Sequence, residues 1–234
     1  MRSQQLSLEH YNTDKIANRY LERYDPIVQH LVDQEITVLE IGIHEGGSLL
    51  LWRDYFPKRT IIGVDLKLPS GLSDEDRIQL FRGSQDDTAF LSKVANKTAP
   101  AGFDLIIDDA SHIGALTKVA FWHLFDNHLK TCGAVRDRGL GTGYWDDWPD
   151  GRTFRPEPPS RSTWSKLLQR FSLASQSFFA NHSYGMVGFV KELVDEQGAA
   201  DLTRARLTGT AVRTSKFEKM VITPSIVFIT KRAP

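Results

Sequence analysis

The chain has 234 residues, enough to bury the core of one α/β domain. Its 29 Lys and Arg balance 29 Asp and Glu, so the formal net charge is zero; bulk nucleic-acid binding, which needs a cationic surplus, is disfavoured. The single cysteine, Cys132, excludes an internal disulfide and suits a reducing, cytoplasmic setting. Residues 1–11 are polar with no signal-peptide core, and no apolar run approaches the ~20 residues of a membrane span.

Residues 7–34 carry helical spacing (Ile16, Tyr20, Tyr24, Ile27, Leu31) with a break at Pro26. They mark an N-terminal helical segment, 1–35, ahead of a main domain, 36–234. The run Val38-Leu-Glu-Ile-Gly-Ile-His-Glu-Gly-Gly-Ser48 then reads as a buried strand, 36–42, a glycine-rich turn and a helix, 47–55. A second apolar run, Thr60-Ile-Ile-Gly-Val-Asp65, ends on a carboxylate 19 residues past Gly46. That pairing suits a nucleoside: glycines let backbone approach the ligand, the helix start offers free N–H groups, and the acid accepts from ribose hydroxyls. The bland alternative is a tight turn with Asp65 as a solvated strand end. The glycine order, Gly42-x-x-x-Gly46-Gly47 behind Glu40, is not the G-x-G-x-x-G of dinucleotide folds, which disfavours an NAD-dependent oxidoreductase.

Strands at 60–65, 78–82 and 103–108 alternate with helices at 86–96 and 114–129. The alternation predicts a parallel sheet with helices on both faces and ligand-collecting loops at the strand C-terminal ends. Gly83-Ser-Gln-Asp86 follows one strand end and either borders an adenine or makes a plain turn. Phe103-Asp-Leu-Ile-Ile-Asp-Asp-Ala-Ser-His112 sets Asp108, Asp109 and His112 at another; otherwise Asp108 caps the next helix and His112 packs in its first turn. His123 and His128 read as surface or satisfied core residues rather than ligands. Ala134-Val-Arg-Asp-Arg-Gly-Leu140 falls where a central fifth strand belongs, yet unpaired interior charge is costly, so that strand is doubtful. Residues 141–162 form a lid-like loop in which Tyr144, Trp145 and Trp148 either line a sugar face or pin the loop. A helix over 163–179 and two apolar runs, 185–193 and 225–230, complete the chain.

The Glu40-x-Gly42-x-x-x-Gly46 run with Asp65 resembles the first motif of class I S-adenosylmethionine-dependent methyltransferases. Asp108-Asp-Ala-Ser-His112 looks like the Asp-Asp-Gly-Ser-His motif of a metal-dependent subgroup that includes macrolide-sugar O-methyltransferases. Asn12-Thr-Asp-Lys15, Trp52-Arg-Asp-Tyr-Phe56 and Gly141-Thr-Gly-Tyr-Trp145 extend the resemblance over most of the chain up to about residue 150. The resemblance implies an α/β fold with a doubly wound, mostly parallel seven-stranded, Rossmann-like sheet. Its last two strands would be an antiparallel pair, a role that suits 185–193 and 225–230. It implies donor-binding residues Glu40, Gly42, Gly46, Asp65, Asp86 and Asp108, with Asp109 as Mg²⁺ ligand and His112 as general base. A hard cation would lower the pKa of an acceptor hydroxyl into reach of the imidazole. The acceptor would be a small molecule, such as the sugar of a glycosylated metabolite; no nucleic-acid or membrane partner is implied, and a homo-oligomer is left open.

In related enzymes the place of the doubtful strand typically reads Gly-Gly-Leu-Tyr-Val-Ile-Glu-Asp-Trp, and its Glu-Asp pair completes the metal site. Here Arg138 and Gly139 stand roughly at that pair. Residues 134–140 admit the codons GCT GTA CGT GAT CGA GGA CTG; read one nucleotide later, with one further G, these give Leu-Tyr-Val-Ile-Glu-Asp-Trp. The expectation is therefore a pair of compensating frameshifts, in the gene or in its reading; a shift real in the gene would bring weak or absent metal binding and reduced stability. The competing function is a catalytically impaired S-adenosylmethionine-binding protein that has lost its metal site.

Overall fold

Apolar runs and amphipathic runs alternate through the first two thirds of the chain, and they fold as alternating strands and helices in the computed structural model. It describes residues 1–58, 60–70, 77–138, 141–152, 154, 182–204 and 209–233, with backbone alone for 132–138. Among the described residues the α-helices are α1 (Asp14–Ala17), α2 (Leu21–Val28), α3 (Gly47–Tyr55), α4 (Thr88–Thr98), α5 (Gly114–Asn127), α6 (Pro149–Arg152), α7 (Gly185–Gln197) and α8 (Ala199–Leu202). The strands are β1 (Val38–Ile41), β2 (Ile61–Asp65), β3 (Ile78–Arg82), β4 (Phe103–Asp108), β5 (Leu129–Arg138), β6 (Phe217–Thr223) and β7 (Ile226–Lys231).

Strand order is β3-β2-β1-β4-β5-β7-β6. The first five run parallel; β7 lies antiparallel to β5, and β6 antiparallel to β7. The fold is thus a Rossmann-like arrangement with a five-stranded parallel sheet and an antiparallel pair beside it. Register brings functional loops together. Val38 pairs with Ile61 on one side and Leu105 on the other, so the tips of β1, β2 and β4 emerge at one edge. Gly42 N donates to Val64 O, and Asp109 N donates to Ile41 O, each at 2.8 Å.

Side-chain alternation along β1 divides the core. Leu39 and Ile41 face a cluster with Leu91, Phe121, Phe125 and Phe189 from α4, α5 and α7. Val38 faces the other cluster, with Tyr24, Leu51, Trp52 and Tyr55 from α2 and α3. Near-continuous Val, Ile and Leu in β1, β2 and β4 are what a sheet covered on both faces requires. No helix among the described residues is long and apolar enough to cross a membrane.

Three expectations need correction. Pro26 does not break the N-terminal helix but lies inside α2, which ends two residues later at Val28. Residues 185–193 are not a strand: they begin α7, whose buried Met186, Phe189, Val190 and Leu193 follow helical spacing. The strand that pairs with 226–231 is instead β6. The doubtful fifth strand is present, and it starts at Leu129, earlier than its charged stretch. Its backbone is held on both sides, with Ala134 registered on Leu105 of β4 and on Thr230 of β7. Main-chain pairing satisfies amides whatever the side chains, so neighbouring strands override a weak strand sequence. The expected helix over 163–179 and most of 153–162 lie outside the described residues. The rest of the lid-like loop holds a 3-10 turn, Thr142–Tyr144, and α6.

His123 and His128 are satisfied as expected: both Nε2 atoms meet the Ser92 hydroxyl, at 2.8 and 2.9 Å. Burial, reinforced by the neighbouring His123, holds the His128 pKa below its ordinary value of 6.5. The unfolded chain therefore takes up this proton at higher pH than the folded chain, and folding loses stability as pH falls below about 6.5. His128→Gln should flatten the decline in Tm between about pH 7 and 5, measured by thermal melts at fixed ionic strength.

Candidate active site

The loop between β1 and α3 is shaped by its backbone. Gly42 and Gly46 have φ of 83° and 85°, and His44 shares the left-handed region at 47°. A Cβ on Gly42 would lie 2.3 Å from the Asp109 carbonyl oxygen, so only glycine lets the loops after β1 and β4 meet. Asp65 at the tip of β2 fastens this loop. Its Oδ2 accepts from the Ile43 and His44 amides at 2.8 and 3.2 Å, and its Oδ1 from the Lys67 amide at 3.1 Å.

Beneath the loop, Glu40 is fully buried. Its carboxylate accepts from Ser48 Oγ at 2.7 Å and Trp52 Nε1 at 3.2 Å. It also pairs with Lys15 Nζ at 2.9 Å. Lys15 enters from the N-terminal segment, where the Thr13 side chain caps α1. The same ammonium lies 2.6 Å from Asp109 Oδ2. The other oxygen of Asp109 is 3.8 Å from His112 Nε2.

His112 has φ of 54°, a left-handed conformation that a non-glycine residue adopts at a cost of about 1–3 kcal/mol and that concentrates at functional sites. Its ring centroid is 5.1 Å from that of Trp148, tilted by 56°. Trp148 immediately precedes α6, which Asp150 anchors: its Oδ2 accepts from the Gly114 amide at 2.8 Å and the Met186 amide at 2.6 Å. One carboxylate thus serves the N-termini of two helices, α5 and α7, where negative charge is favoured.

These features surround a cleft of about 1460 Å³. Of the residues singled out from sequence, Gly42, Asp65, Asp109 and His112 line it. Four do not. Glu40 lies below the loop, locked by Lys15, Ser48 and Trp52. Gly46 serves as the left-handed N-cap of α3, while its neighbour Gly47 lines the cleft. Asp86 is exposed and bonded by the Ser84 hydroxyl; the buried neighbour Gln85 reaches the cleft instead, accepting from the Ser111 amide at 3.0 Å. Asp108 is buried, and its Oδ1 accepts from the Ala110 amide at 3.2 Å, closing the turn after β4. Trp145 and Trp148 line the cleft, whereas Tyr144 stands edge-on to Phe154 and His182.

Sequence reasoning missed Lys15 as a site residue. A lysine in a short polar turn ordinarily reads as solvated, and only its place in the Asn12–Lys15 motif hinted otherwise. Asp150 left no local signal at all, because the helix starts that it caps are 36 residues away on either side.

The sheet order, the glycine loop on β1 and the acid ending β2 define a methyltransferase-type domain. No family model matches the chain. It is 40% identical over 151 residues to 8-demethyl-8-(2-methoxy-alpha-L-rhamnosyl)-tetracenomycin-C 3'-O-methyltransferase of Streptomyces olivaceus, covering 57% of this chain and 36% of that one. It is 36% identical over 133 residues to mycinamicin VI 2''-O-methyltransferase of Micromonospora griseorubida, covering 54% of this chain and 32% of the relative. Among solved structures, the MycE methyltransferase of the mycinamycin biosynthetic pathway, in complex with Mg and SAH, superposes with a TM-score of 0.67 at 25% identity, over 90% of this chain and 48% of that one. The chain is thus a homologue of the sugar O-methyltransferases of macrolides and tetracenomycins, and it spans about a third of the length of these two curated relatives.

Proposed function

We propose that this chain catalyses S-adenosylmethionine-dependent methyl transfer to a hydroxyl on the sugar of a glycosylated small molecule. The observation that carries the reading is the single cleft holding Gly42 and Asp65 together with Asp109, His112, Trp145 and Trp148. At about 1460 Å³ it exceeds the ~300–1,000 Å³ usual for one small ligand, leaving room for a donor and an acceptor side by side. The left-handed glycines fold the loop after β1 against the loop after β4 at the edge of the cleft, and Asp65 offers a carboxylate at the tip of β2 for ribose hydroxyls.

When bound, the donor supplies an electrophilic methyl carbon on a sulfonium. The acceptor oxygen forms the new C–O bond, the C–S electron pair stays on sulfur, and the hydroxyl proton passes to His112 Nε2. The Asp109 carboxylate, 3.8 Å from the same nitrogen, favours the imidazolium that results. Most of the acceleration in such a displacement comes from alignment, which the shared cleft and the Trp148–His112 contact serve.

Mg is bound in the MycE neighbour. The described residues of this chain do not fit it: none of them form a group of three His, Cys, Asp or Glu side chains able to hold a metal ion, and Asp109 already carries the Lys15 ammonium. The same reading treats 1–35 as an N-terminal segment and 36–234 as the methyltransferase domain. It takes β7 and β6 as completing a seven-stranded sheet, and it assigns a cytoplasmic setting without nucleic-acid or membrane partners.

The second reading, a donor-binding protein without turnover, is favoured by the Lys15 ammonium standing on Asp109, the expected metal ligand. A rhamnosylated polyketide incubated with the chain and labelled donor separates the two. Label transferred to the sugar supports the enzyme; saturable donor binding with no transfer to any glycosylated acceptor supports the binder.

A further inference from the structure

Lys15 is 2% exposed, and a lysine is buried to this degree only when its charge is paired. Its two partners belong to different parts of the site. Glu40 sits on β1 under the glycine loop, also bonded by Ser48 and Trp52. Asp109 begins the loop after β4, beside His112. The ammonium therefore ties the acid beneath the donor loop to the acid nearest the candidate base. The segment that delivers it is fixed in place: Asn12 Nδ2 donates to Glu45 at 2.6 Å, and a Cβ on Gly47 would lie 2.0 Å from the Asn12 carbonyl oxygen.

We propose that Lys15 is the resident cation of this site: its ammonium takes the place on Asp109 that a divalent ion would need, so Asp109 acts as a positioning residue for His112 and not as a metal ligand. The proposal rests on the methyl-transfer reading for the role of His112, but not for the identity of the cation. Mg²⁺ is held by several hard oxygen ligands, with at least one or two carboxylates directly on the ion. On Asp109 such an ion would stand within about 4 Å of a desolvated ammonium, where like charges repel strongly.

The test titrates Mn²⁺ alone into the full chain, following free Mn²⁺ by electron paramagnetic resonance, with S-adenosylhomocysteine binding measured separately in EDTA and in excess Mg²⁺. The wild-type chain should take up no Mn²⁺ at submillimolar concentration, and its affinity for S-adenosylhomocysteine should agree within about twofold in the two buffers. Lys15→Gln leaves Glu40 and Asp109 without their ammonium, and it should acquire Mn²⁺ binding that Asp109→Asn, added to it, abolishes. A lysine that merely stabilised the fold would produce no such gain. Saturable submillimolar Mn²⁺ binding by the wild-type chain, lost in Asp109→Asn, overturns the proposal, and this arm decides the matter even if Lys15→Gln does not fold. Failure of S-adenosylhomocysteine to bind in either buffer overturns the donor reading instead, leaving the Mn²⁺ result to judge Lys15.

Discussion

His112→Gln should lower kcat about 10²–10⁴-fold while leaving S-adenosylhomocysteine affinity within about twofold of wild type. Glutamine retains a polar side chain of similar reach but cannot take the acceptor proton. The native residue is also held in a left-handed conformation that the surrounding loop must enforce, and its ring meets Trp148 at 5.1 Å. Loss of kcat with donor affinity intact would assign His112 to the chemical step. Turnover unchanged in this variant would place the base elsewhere in the cleft.

Trp52→Ala should destabilise the chain by about 3–5 kcal/mol, the usual cost of truncating a fully buried large aromatic residue. Trp52 is completely buried, with ring centroids 4.8 Å from Tyr24, 5.8 Å from Tyr55 and 6.2 Å from Phe56. Its indole N–H also donates to Glu40, so truncation removes a hydrogen bond from a buried carboxylate. Trp52→Phe keeps most of the packing and should cost about 1–3 kcal/mol, the penalty of leaving that acceptor short of a donor. Chemical denaturation of both variants measures the difference. Equal stability loss in the two would mean that the hydrogen bond to Glu40, rather than the packing, dominates.

The parallel part of the fold was legible because its signals are local. Continuous apolar runs at 38–41, 61–65 and 103–108, each ending in glycine or acid, specify strands and loops with little reference to the rest of the chain. The C-terminal third was harder. The run 185–193 is apolar enough for a strand, but its buried positions recur at helical spacing, and the period was the better guide. Phe217–Thr223 was overlooked because its lysine, glutamate and exposed isoleucine make it an edge strand of mixed character. The site divides in the same way. Residues at strand tips were found where they were expected: Gly42, Asp65, Asp109 and His112 all line the cleft. Glu40, expected among the donor-binding residues, does not line the cleft; strand alternation turns it toward α3 and Lys15, where Ser48, Trp52 and Lys15 bond its carboxylate. Lys15 and Asp150 act through contacts 94 and 36 residues away in sequence, and no local pattern carries such information.

Titration calorimetry of S-adenosylhomocysteine into the chain, in EDTA and with Asp65→Ala as the control, tests the methyl-donor site most directly. Saturable binding at one site per chain, lost in Asp65→Ala and not displaced by NADH, is the predicted result. No binding of S-adenosylhomocysteine by the folded chain, or its competitive displacement by NADH, would contradict it.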